Sequence, residues 1–285
     1  MDASIIVPTH NRPQTLRLCL QSLAALTYDQ ARFELIVVDD GRPENKESML
    51  TRGIDRPVRW LRQAKAGPAA ARNAGAAVAN GRFLCFTDDD CTPHPDWLTC
   101  LLDQFERTPT AVLGGQTINQ LTQNLYATTS QLLIDYLYAQ YRAPGELNPR
   151  FFTSNNLAVP ADLFRAMGGF DATMPLAGGE DREFCERWRL AERPFQFVPN
   201  ALVYHAHPLD LRRFWRQHVT YGRGAWHLRQ RHGGVELEGW GFYGGLLTYP
   251  WRVVGLRQRP FITWLLVLSQ LANAAGYLRE RRVRN

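Results

Sequence analysis

Residues 66–90 read AGPAAARNAGAAVANGRFLCFTDDD, and this stretch combines a helix, a turn and a strand. Proline is favoured at a first helical position, so Pro68 predicts that the alanine-rich segment 69–79 is a helix. The Asn-Gly pair at 80–81 is a turn signal that ends this helix. The apolar run 82–87 that follows is typical of a buried strand. A predicted strand therefore carries three consecutive aspartates at its carboxyl end.

The alternation of strands and helices continues on both sides of this stretch. Strands are predicted at 4–8, 33–39, 58–61 and 111–118, and helices at 16–26 and 93–107. This order predicts an α/β fold with a mostly parallel central sheet flanked by helices. Ligands of such sheets bind beyond the carboxyl ends of the strands. Polar residues follow three of these strands, at 9–12, 39–41 and 88–90, so a site is expected there.

The rest of the chain divides into the end of a catalytic part and a helical extension. Residues 119–149 are predicted to be irregular and to cover the site or handle an acceptor. The later elements are predicted as a strand and a helix within 151–170, a helix at 180–193, and short strands at 195–198 and 201–204. The predicted domains are residues 1–208, which contain the sheet and its expected site, and residues 209–285, a basic amphipathic and apolar helical extension.

Asp88, Asp89 and Asp90 are the strongest single chemical feature of the sequence. Adjacent carboxylates repel one another and lose hydration when they are partly buried. A divalent cation relieves that repulsion, and Mg²⁺ or Mn²⁺ prefers carboxylate and diphosphate oxygens. The alternative is a solvated acidic turn, which is the simpler explanation for an isolated triplet. The two other polar strand ends favour a site for a metal and a departing diphosphate.

Six segments, in order along the chain, resemble the family 2 glycosyltransferases, which have the A-type nucleotide-sugar fold. They are SIIVPTHNR at 4–12, ELIVVDDG at 34–41, the stretch 66–90 quoted above, SNNLAVPADLFRAMGGFD at 154–171, GGEDREFCERW at 178–188 and LVYHAHP at 202–208. The resemblance implies a Rossmann-like nucleotide-diphospho-sugar transferase fold. It also implies an inverting, metal-assisted transfer of a sugar, expected to come from a UDP-sugar, to a hydroxyl group.

The resemblance implies roles for individual residues as well. Those expected to contact the nucleotide or its phosphates are Pro8, Thr9, Arg12, Asp39, Arg72, Asn73, Asp88 and Asp89. Those expected to hold the divalent cation, Mn²⁺ or Mg²⁺, are Asp90, Asp88 and His205, with His207 as the fallback for His205. Those expected near the donor or acceptor sugar are Asn155, Asn156, Gly178 and Gly179. Asp89 is acidic where the family often has a small residue, which leaves the division of roles within the triplet open.

Glu180 and Asp181 lie at the start of a predicted helix. Acidic residues in a first helical turn are stabilised by the helix dipole, which alone would explain the pair. The resemblance implies instead that Asp181 is the general base that removes the proton of the acceptor hydroxyl, and that Glu180 orients the acceptor.

The expected partners are a nucleotide-sugar donor and a glycan or lipid-linked acceptor in cell-envelope or exopolysaccharide synthesis; no nucleic-acid partner is expected. One rival is a sugar-nucleotide pyrophosphorylase, which should have a glycine-rich signature after the first strand, where this chain has VPTHNRP. The other rival is a catalytically silent sugar-nucleotide-binding scaffold. The complete set of carboxylates, together with His205, counts against the scaffold.

Basic residues concentrate near the C-terminus. Residues 205–285 contain 13 arginines and 4 acidic residues, whereas the remainder has 20 basic and 23 acidic residues. Residues 261–278 carry no formal charge, but polar residues interrupt them and a spanning helix needs ~20 apolar residues. We expect an amphipathic basic helix at 211–229 and a helix at 261–278 that lies in an anionic membrane interface. A solvated basic face, packing on the catalytic part, or a homo-oligomer contact is the alternative.

Two features predict the compartment. The five cysteines include no C-x-x-C pair and are odd in number, which favours reduced thiols over a disulfide framework. The first residues have no positively charged region ahead of a long apolar run, as a signal peptide would. A cytoplasmic location, peripheral at the inner face of the cell membrane, is therefore expected.

Overall fold

A computed structural model describes residues 1–41, 50–54, 56–140, 149, 151–174, 178–232 and 239–284. The chain forms two compact units. The first comprises Met1–Ile118, Ala143–Thr173 and Glu180–Ala206, and the second comprises Asn119–Arg142, Met174–Gly179 and His207–Asn285. The main division therefore falls two residues before the predicted boundary at 208, and the second unit also contains two earlier segments.

The first unit contains a sheet of eight strands. The strands are β1 Ala3–Thr9, β2 Phe33–Asp40, β3 Val58–Gln63, β4 Phe83–Thr87, β5 Cys91–Pro93, β6 Val112–Asn119, β7 Asn156–Pro160 and β8 Phe195–His205. Its helices are α1 Pro13–Ala24, α2 Pro68–Val78, α3 Trp97–Arg107, α5 Ala161–Ala166 and α6 Glu180–Leu190. The strand order in the sheet is β3-β2-β1-β4-β7-β6-β8-β5.

Half of this sheet is parallel and the other half contains antiparallel pairs. β1 pairs in parallel with β2 and β4, and β2 pairs in parallel with β3. β7 is antiparallel to both β4 and β6, and β5 is antiparallel to β8. The predicted α/β sheet with flanking helices is confirmed, and the sheet is mixed because β7 runs in the opposite direction to its neighbours β4 and β6.

The parallel half places the predicted polar strand ends side by side. β1 and β4 are buried along their whole lengths, as continuous apolar runs between layers of helices require. The register pairs Thr9 with Asp39 and Ile6 with Phe86, so the ends of β1, β2 and β4 lie at one edge of the sheet. This edge is where the triplet that follows β4 is found.

Three predicted elements differ from the structure. The helix predicted at 93–107 begins at Trp97, because residues 91–93 form β5 and pair with β8. The strands predicted at 195–198 and 201–204 are one strand, which continues through Pro199. The segment predicted to be irregular, 119–149, contains the helix α4, Leu125–Gln140. Ten of the sixteen residues of α4 are apolar or aromatic, and side chains of this set pack into a core of the second unit.

The second unit is helical. Besides α4 it contains α7 Leu211–His232, α8 Trp240–Thr248, α9 Pro250–Val253 and α10 Arg259–Arg284. Its core joins Leu133 and Tyr136 of α4 to Leu246 of α8 and Ile262 of α10. The helices predicted at 211–229 and 261–278 are therefore present and longer than predicted.

Candidate active site

The end of β1 and the start of α1 hold the aspartate triplet. Thr9 donates a hydrogen bond of 2.7 Å from its hydroxyl to Oδ2 of Asp89. Arg12 donates from one guanidinium nitrogen to Oδ1 of Asp89 at 3.1 Å and to Oδ2 of Asp90 at 2.7 Å. Both carboxylates are buried and have lost most of their hydration, so the positive charge of Arg12 compensates part of their negative charge.

The pKa of Asp89, the central residue of the triplet, is raised by its surroundings. Burial is the largest influence on Asp89 and raises its pKa to about 6, with the charges of Asp90 and Asp88 acting in the same direction. Arg12 and the hydrogen bond from Thr9 oppose the shift only in part. A further positive charge at this position would therefore stabilise the ionised triplet.

Asp90 and His205 lie close enough to bind one cation. The β5–β8 pairing sets Cys91 opposite His205, which places His205 Nε2 3.2 Å from Oδ1 of Asp90. Burial alone would lower the pKa of His205, but the hydrogen bond to Asp90 and its charge raise it above its usual value. A carboxylate oxygen and an imidazole nitrogen form a donor set that suits Mn²⁺, so these residues fit the predicted ion. His207 begins the last segment of the second unit, His207–Asn285, and stays a sequence-based fallback.

Arg72 is buried, with 3% of its surface exposed, and binds two carboxylates. One terminal nitrogen lies 2.6 Å from Oδ1 of Asp88, and the other lies 3.1 Å from Oε1 of Glu180. Its Nε has no hydrogen-bond partner among the described residues. Arg72, predicted to contact phosphates, therefore joins the triplet to the first turn of α6 in this structure.

The predicted catalytic pair occupies that first turn. Glu180 is buried, and Asp181 accepts backbone hydrogen bonds from Arg182 at 2.8 Å and from Ser154 at 3.3 Å. Burial first, and the charge of Glu180 second, raise the pKa of Asp181 to about 7, although those two hydrogen bonds and Arg72 act in the opposite direction. A carboxylate with a pKa near neutrality is suited to act as a general base.

The asparagines predicted to face ligands make contacts inside the protein. Asn73 donates to the carbonyl of Phe170 and accepts from its N–H, at 2.7 and 2.9 Å. Asn156 is fully buried; it accepts from the indole of Trp97 and donates to the carbonyls of Gln116 and Ala201. Asn155 accepts hydrogen bonds from the hydroxyls of Thr153 and Thr117. These contacts brace the loops behind the site.

Two further sets of predicted residues lie at backbone positions. Pro8 is buried in β1, and Asp39 is the partner of Thr9 in the β1–β2 register. Gly178 and Gly179 have φ of 142° and 112°, a region that favours glycine. Both pack in the second unit against α7, where a side chain on Gly224 would meet the carbonyl of Gly178. Backbone conformation and packing against α7 therefore both favour glycine at positions 178 and 179, apart from any contact with a sugar.

Asp40 is a residue that the sequence reasoning missed. Its carboxylate accepts hydrogen bonds from the side chain of Gln63 at 2.8 Å and from the N–H groups of Ala66 and Gly67 at 2.7 and 2.8 Å. It thereby fixes the loop that leads into α2, the helix that carries Arg72. The available sequence signal was a second acidic residue next to Asp39 at the end of an apolar strand. The structure buries that carboxylate, and a buried carboxylate needs hydrogen-bond donors.

Known glycosyltransferases resemble this chain in sequence. The model of the family described as glycosyl transferase family 2 matches residues 4–168. The pre-mycofactocin glycosyltransferase of Mycobacterium tuberculosis is 33% identical over 239 residues, which cover 81% of this chain and 48% of that protein. The probable glycosyltransferase YdaM of Bacillus subtilis is 26% identical over 238 residues, covering 78% of this chain and 54% of that protein. The chain spans about half the length of these curated relatives.

Solved structures show the same fold. The mannosyltransferase PcManGT of Pyrobaculum calidifontis, in complex with GDP-Man and Mn²⁺, has a TM-score of 0.61 at 15% identity and covers 99% of this chain and 77% of its own. Residues 1–349 of S. aureus TarS, in complex with UDP-GlcNAc, have a TM-score of 0.59 at 17% identity and cover 100% of this chain and 92% of that one. The predicted A-type nucleotide-sugar fold is confirmed.

Proposed function

Because the chain belongs to glycosyl transferase family 2, we propose that it moves a sugar from a nucleoside-diphosphate sugar to a hydroxyl acceptor by direct displacement with inversion. One observation carries this proposal. Arg72 binds Asp88 of the triplet with one terminal nitrogen and Glu180, the neighbour of the expected base Asp181, with the other. One guanidinium therefore lies between the expected donor residues and the turn that carries the expected base. Such a separation suits a direct displacement, in which the attacking hydroxyl and the leaving diphosphate lie on opposite sides of the anomeric carbon.

On the donor side, Asp90 and His205 would hold a divalent cation, and Asp88 and Arg12 would position the nucleotide. The cation, when bound, neutralises charge on the departing diphosphate. Thr9 and Arg12 keep the carboxylates of Asp89 and Asp90 in place through their hydrogen bonds. These residues therefore orient the donor, and no proton transfer is assigned to them.

On the acceptor side, Asp181 removes the proton of the attacking hydroxyl. The acceptor oxygen forms a bond to the anomeric carbon while the bond from that carbon to the diphosphate oxygen breaks, so the configuration inverts and no covalent intermediate forms. Glu180 orients the acceptor beside it. The raised pKa of Asp181 supports this assignment, because a base is most effective when its pKa lies near the working pH.

The pH dependence of transfer should report this base. Asp181 acts only when ionised, and its pKa is raised from 3.8 to about 7. Transfer is therefore expected to increase with pH between about 6 and 8. An ordinary aspartate would already be ionised above about pH 5. Initial rates at saturating Mn²⁺ and acceptor measure this profile, and a rate that is constant from pH 5 to 8 would contradict it.

For the donor and the acceptor we propose a UDP-sugar and a glycan or lipid-linked molecule of the cell envelope. A UDP-sugar is supported by the TarS structure with UDP-GlcNAc, whereas PcManGT was solved with GDP-Man, so guanosine is the alternative base. The relative from Mycobacterium tuberculosis makes pre-mycofactocin a second acceptor to test. Mn²⁺ is the proposed ion, with Mg²⁺ as the alternative.

A donor screen tests the proposed activity. Several UDP- and GDP-sugars are incubated with the full chain and Mn²⁺, and release of the nucleoside diphosphate is measured. We expect release from one donor class, and loss of that release with EDTA. Absence of release from every donor, despite binding of UDP or GDP, would favour the silent scaffold. Conversion of a sugar phosphate and a nucleoside triphosphate into a nucleotide sugar would favour the pyrophosphorylase.

A further inference from the structure

One face of α10 is apolar and exposed. Trp264, Val267, Leu271 and Leu278 recur at intervals of three, four and seven residues, and between 40% and 58% of each side chain is accessible. These intervals place them on one stripe of a helix. At 1.5 Å per residue the stripe is about 21 Å long. Scattered exposed apolar residues need no explanation, but a continuous stripe does.

The charge around this stripe is almost entirely positive. Within 240–284 the sequence has one acidic residue, Glu280, and seven arginines, which are Arg252, Arg257, Arg259, Arg279, Arg281, Arg282 and Arg284. Glu280 is 3% exposed and binds Arg223 at 2.6 Å and His227 at 3.1 Å. This single buried carboxylate stands against five exposed arginines, Arg252, Arg257, Arg279, Arg281 and Arg282. A partner for this face must accept both apolar side chains and cations.

Exposed aromatic residues precede the start of α10. Trp240 and Trp251 are 93% and 54% exposed, and the guanidinium carbon of Arg259 lies 5.8 Å from the ring centre of Trp251. Tryptophan and arginine beside an apolar stripe are the combination found at the headgroup level of a lipid bilayer.

The opposite face of α10 is covered by α7. Side chains on Gly222 and Gly276 would meet the backbone of Asn273 and Val219, so the two helices approach closely at these points. By length and composition alone, Arg259–Val283 could cross a bilayer. A span would also carry the arginines of α7 into the hydrocarbon, at a high cost. A helix that is packed on one side and apolar on the other lies in the plane of the interface instead.

We propose that this face of α10, with the segment that precedes it, docks on an anionic phospholipid surface with α10 parallel to the membrane. The phosphate groups of the lipids would meet the arginines, and the acyl chains would meet the stripe from Trp264 to Leu278. A second copy of the chain is the less favourable partner, because a symmetric contact sets the same patch against itself and brings arginines against arginines.

Co-sedimentation of the full chain with vesicles tests this proposal. We expect binding to vesicles that contain phosphatidylglycerol to exceed binding to pure phosphatidylcholine by about tenfold or more, and to weaken with salt. A Leu271→Glu/Leu278→Glu double variant should lose about tenfold or more of that binding. Leu18→Glu is the matched control, because Leu18 on α1 is 57% exposed and Leu271 is 58% exposed. An Arg279→Gln/Arg281→Gln/Arg282→Gln variant is the second test, and should lose the salt-sensitive part of binding.

Several outcomes would overturn the proposal. The proposal is wrong if the wild-type protein binds vesicles equally well with and without phosphatidylglycerol. It is also wrong if the double variant binds the anionic vesicles as strongly as the Leu18→Glu control does. A wild-type dimer in lipid-free buffer that the double variant cannot form, without lipid binding by either, assigns the face to a second copy. Release from vesicles by alkaline carbonate is expected of a helix in the interface plane, and retention would contradict that orientation. Thermal unfolding of each variant shows whether it is folded.

Discussion

Replacing Asp181 with asparagine is expected to lower the rate of sugar transfer by about 10²–10⁴-fold, the usual contribution of a general base. Asparagine has nearly the same shape but cannot take a proton from the acceptor. Its single side-chain oxygen can keep the backbone hydrogen bond from Arg182, which is 2.8 Å long in the wild type, and only the longer bond from Ser154 to the other carboxylate oxygen is lost, so the first turn of α6 should stay intact. The measurement is turnover of the donor found by the screen, at saturating Mn²⁺.

The matched control for this variant is Asp162→Asn. Asp162 is also an acidic residue in the first turn of a helix, α5 of the same unit, but it is exposed. If its role is confined to the helix dipole, transfer should stay near the wild-type rate. If the Asp181→Asn variant keeps most of its turnover, Asp181 is not the general base. If both variants lose the same share of turnover, the loss comes from a structural effect.

Replacing Arg72 with methionine is expected to destabilise the protein by ~3–5 kcal/mol, because breaking a buried ion pair leaves carboxylates without their cation. Arg72 lies between Asp88 and Glu180, and Glu180 is buried. The measurement is urea unfolding at pH 7. The control is Arg189→Met on α6, whose ion pair with Glu186 is partly exposed and should contribute ~0.5 kcal/mol or less.

The same variant has a second readout. Arg72 opposes the rise in the pKa of Asp181, so its removal should move the pH profile of transfer to higher pH in the fraction that stays folded. The control variant should leave the profile unchanged. Equal stabilities of the Arg72→Met and Arg189→Met proteins would show that Arg72 does not hold the two halves of the site together.

The position of the site was predictable because it depends on local sequence. Each polar strand end follows a continuous apolar run, and parallel pairing brings such ends to one edge. The register of β1 with β2 and β4 confirms this reasoning for Thr9, Asp39 and the triplet. The pairing of Asp90 with His205 agrees with the expected ligand set, although only the β5–β8 register explains how residues so far apart in sequence meet.

Other contacts could not be predicted from local sequence. Arg72 is buried because α2 packs in the interior with small alanine side chains around it, and nothing in that helix indicates that Glu180 is its partner. Asn73 and Asn156 were expected to face ligands, but their amides bind backbone groups of segments that come together only in the fold. The helix α4 was missed because its apolar side chains become a face only when α8 and α10 cover them.

Asp90 is proposed to bind the metal and the donor, while Asp181 is proposed to take the proton of the acceptor. Calorimetric titration of UDP, with and without Mn²⁺, into wild-type, Asp90→Asn and Asp181→Asn protein tests this division most directly. We predict that Asp90→Asn loses the Mn²⁺-dependent part of UDP binding, whereas Asp181→Asn binds UDP and Mn²⁺ as the wild type does and yet transfers sugar about 10²–10⁴-fold more slowly. Mn²⁺-dependent binding that survives in Asp90→Asn but disappears in Asp181→Asn would contradict the account.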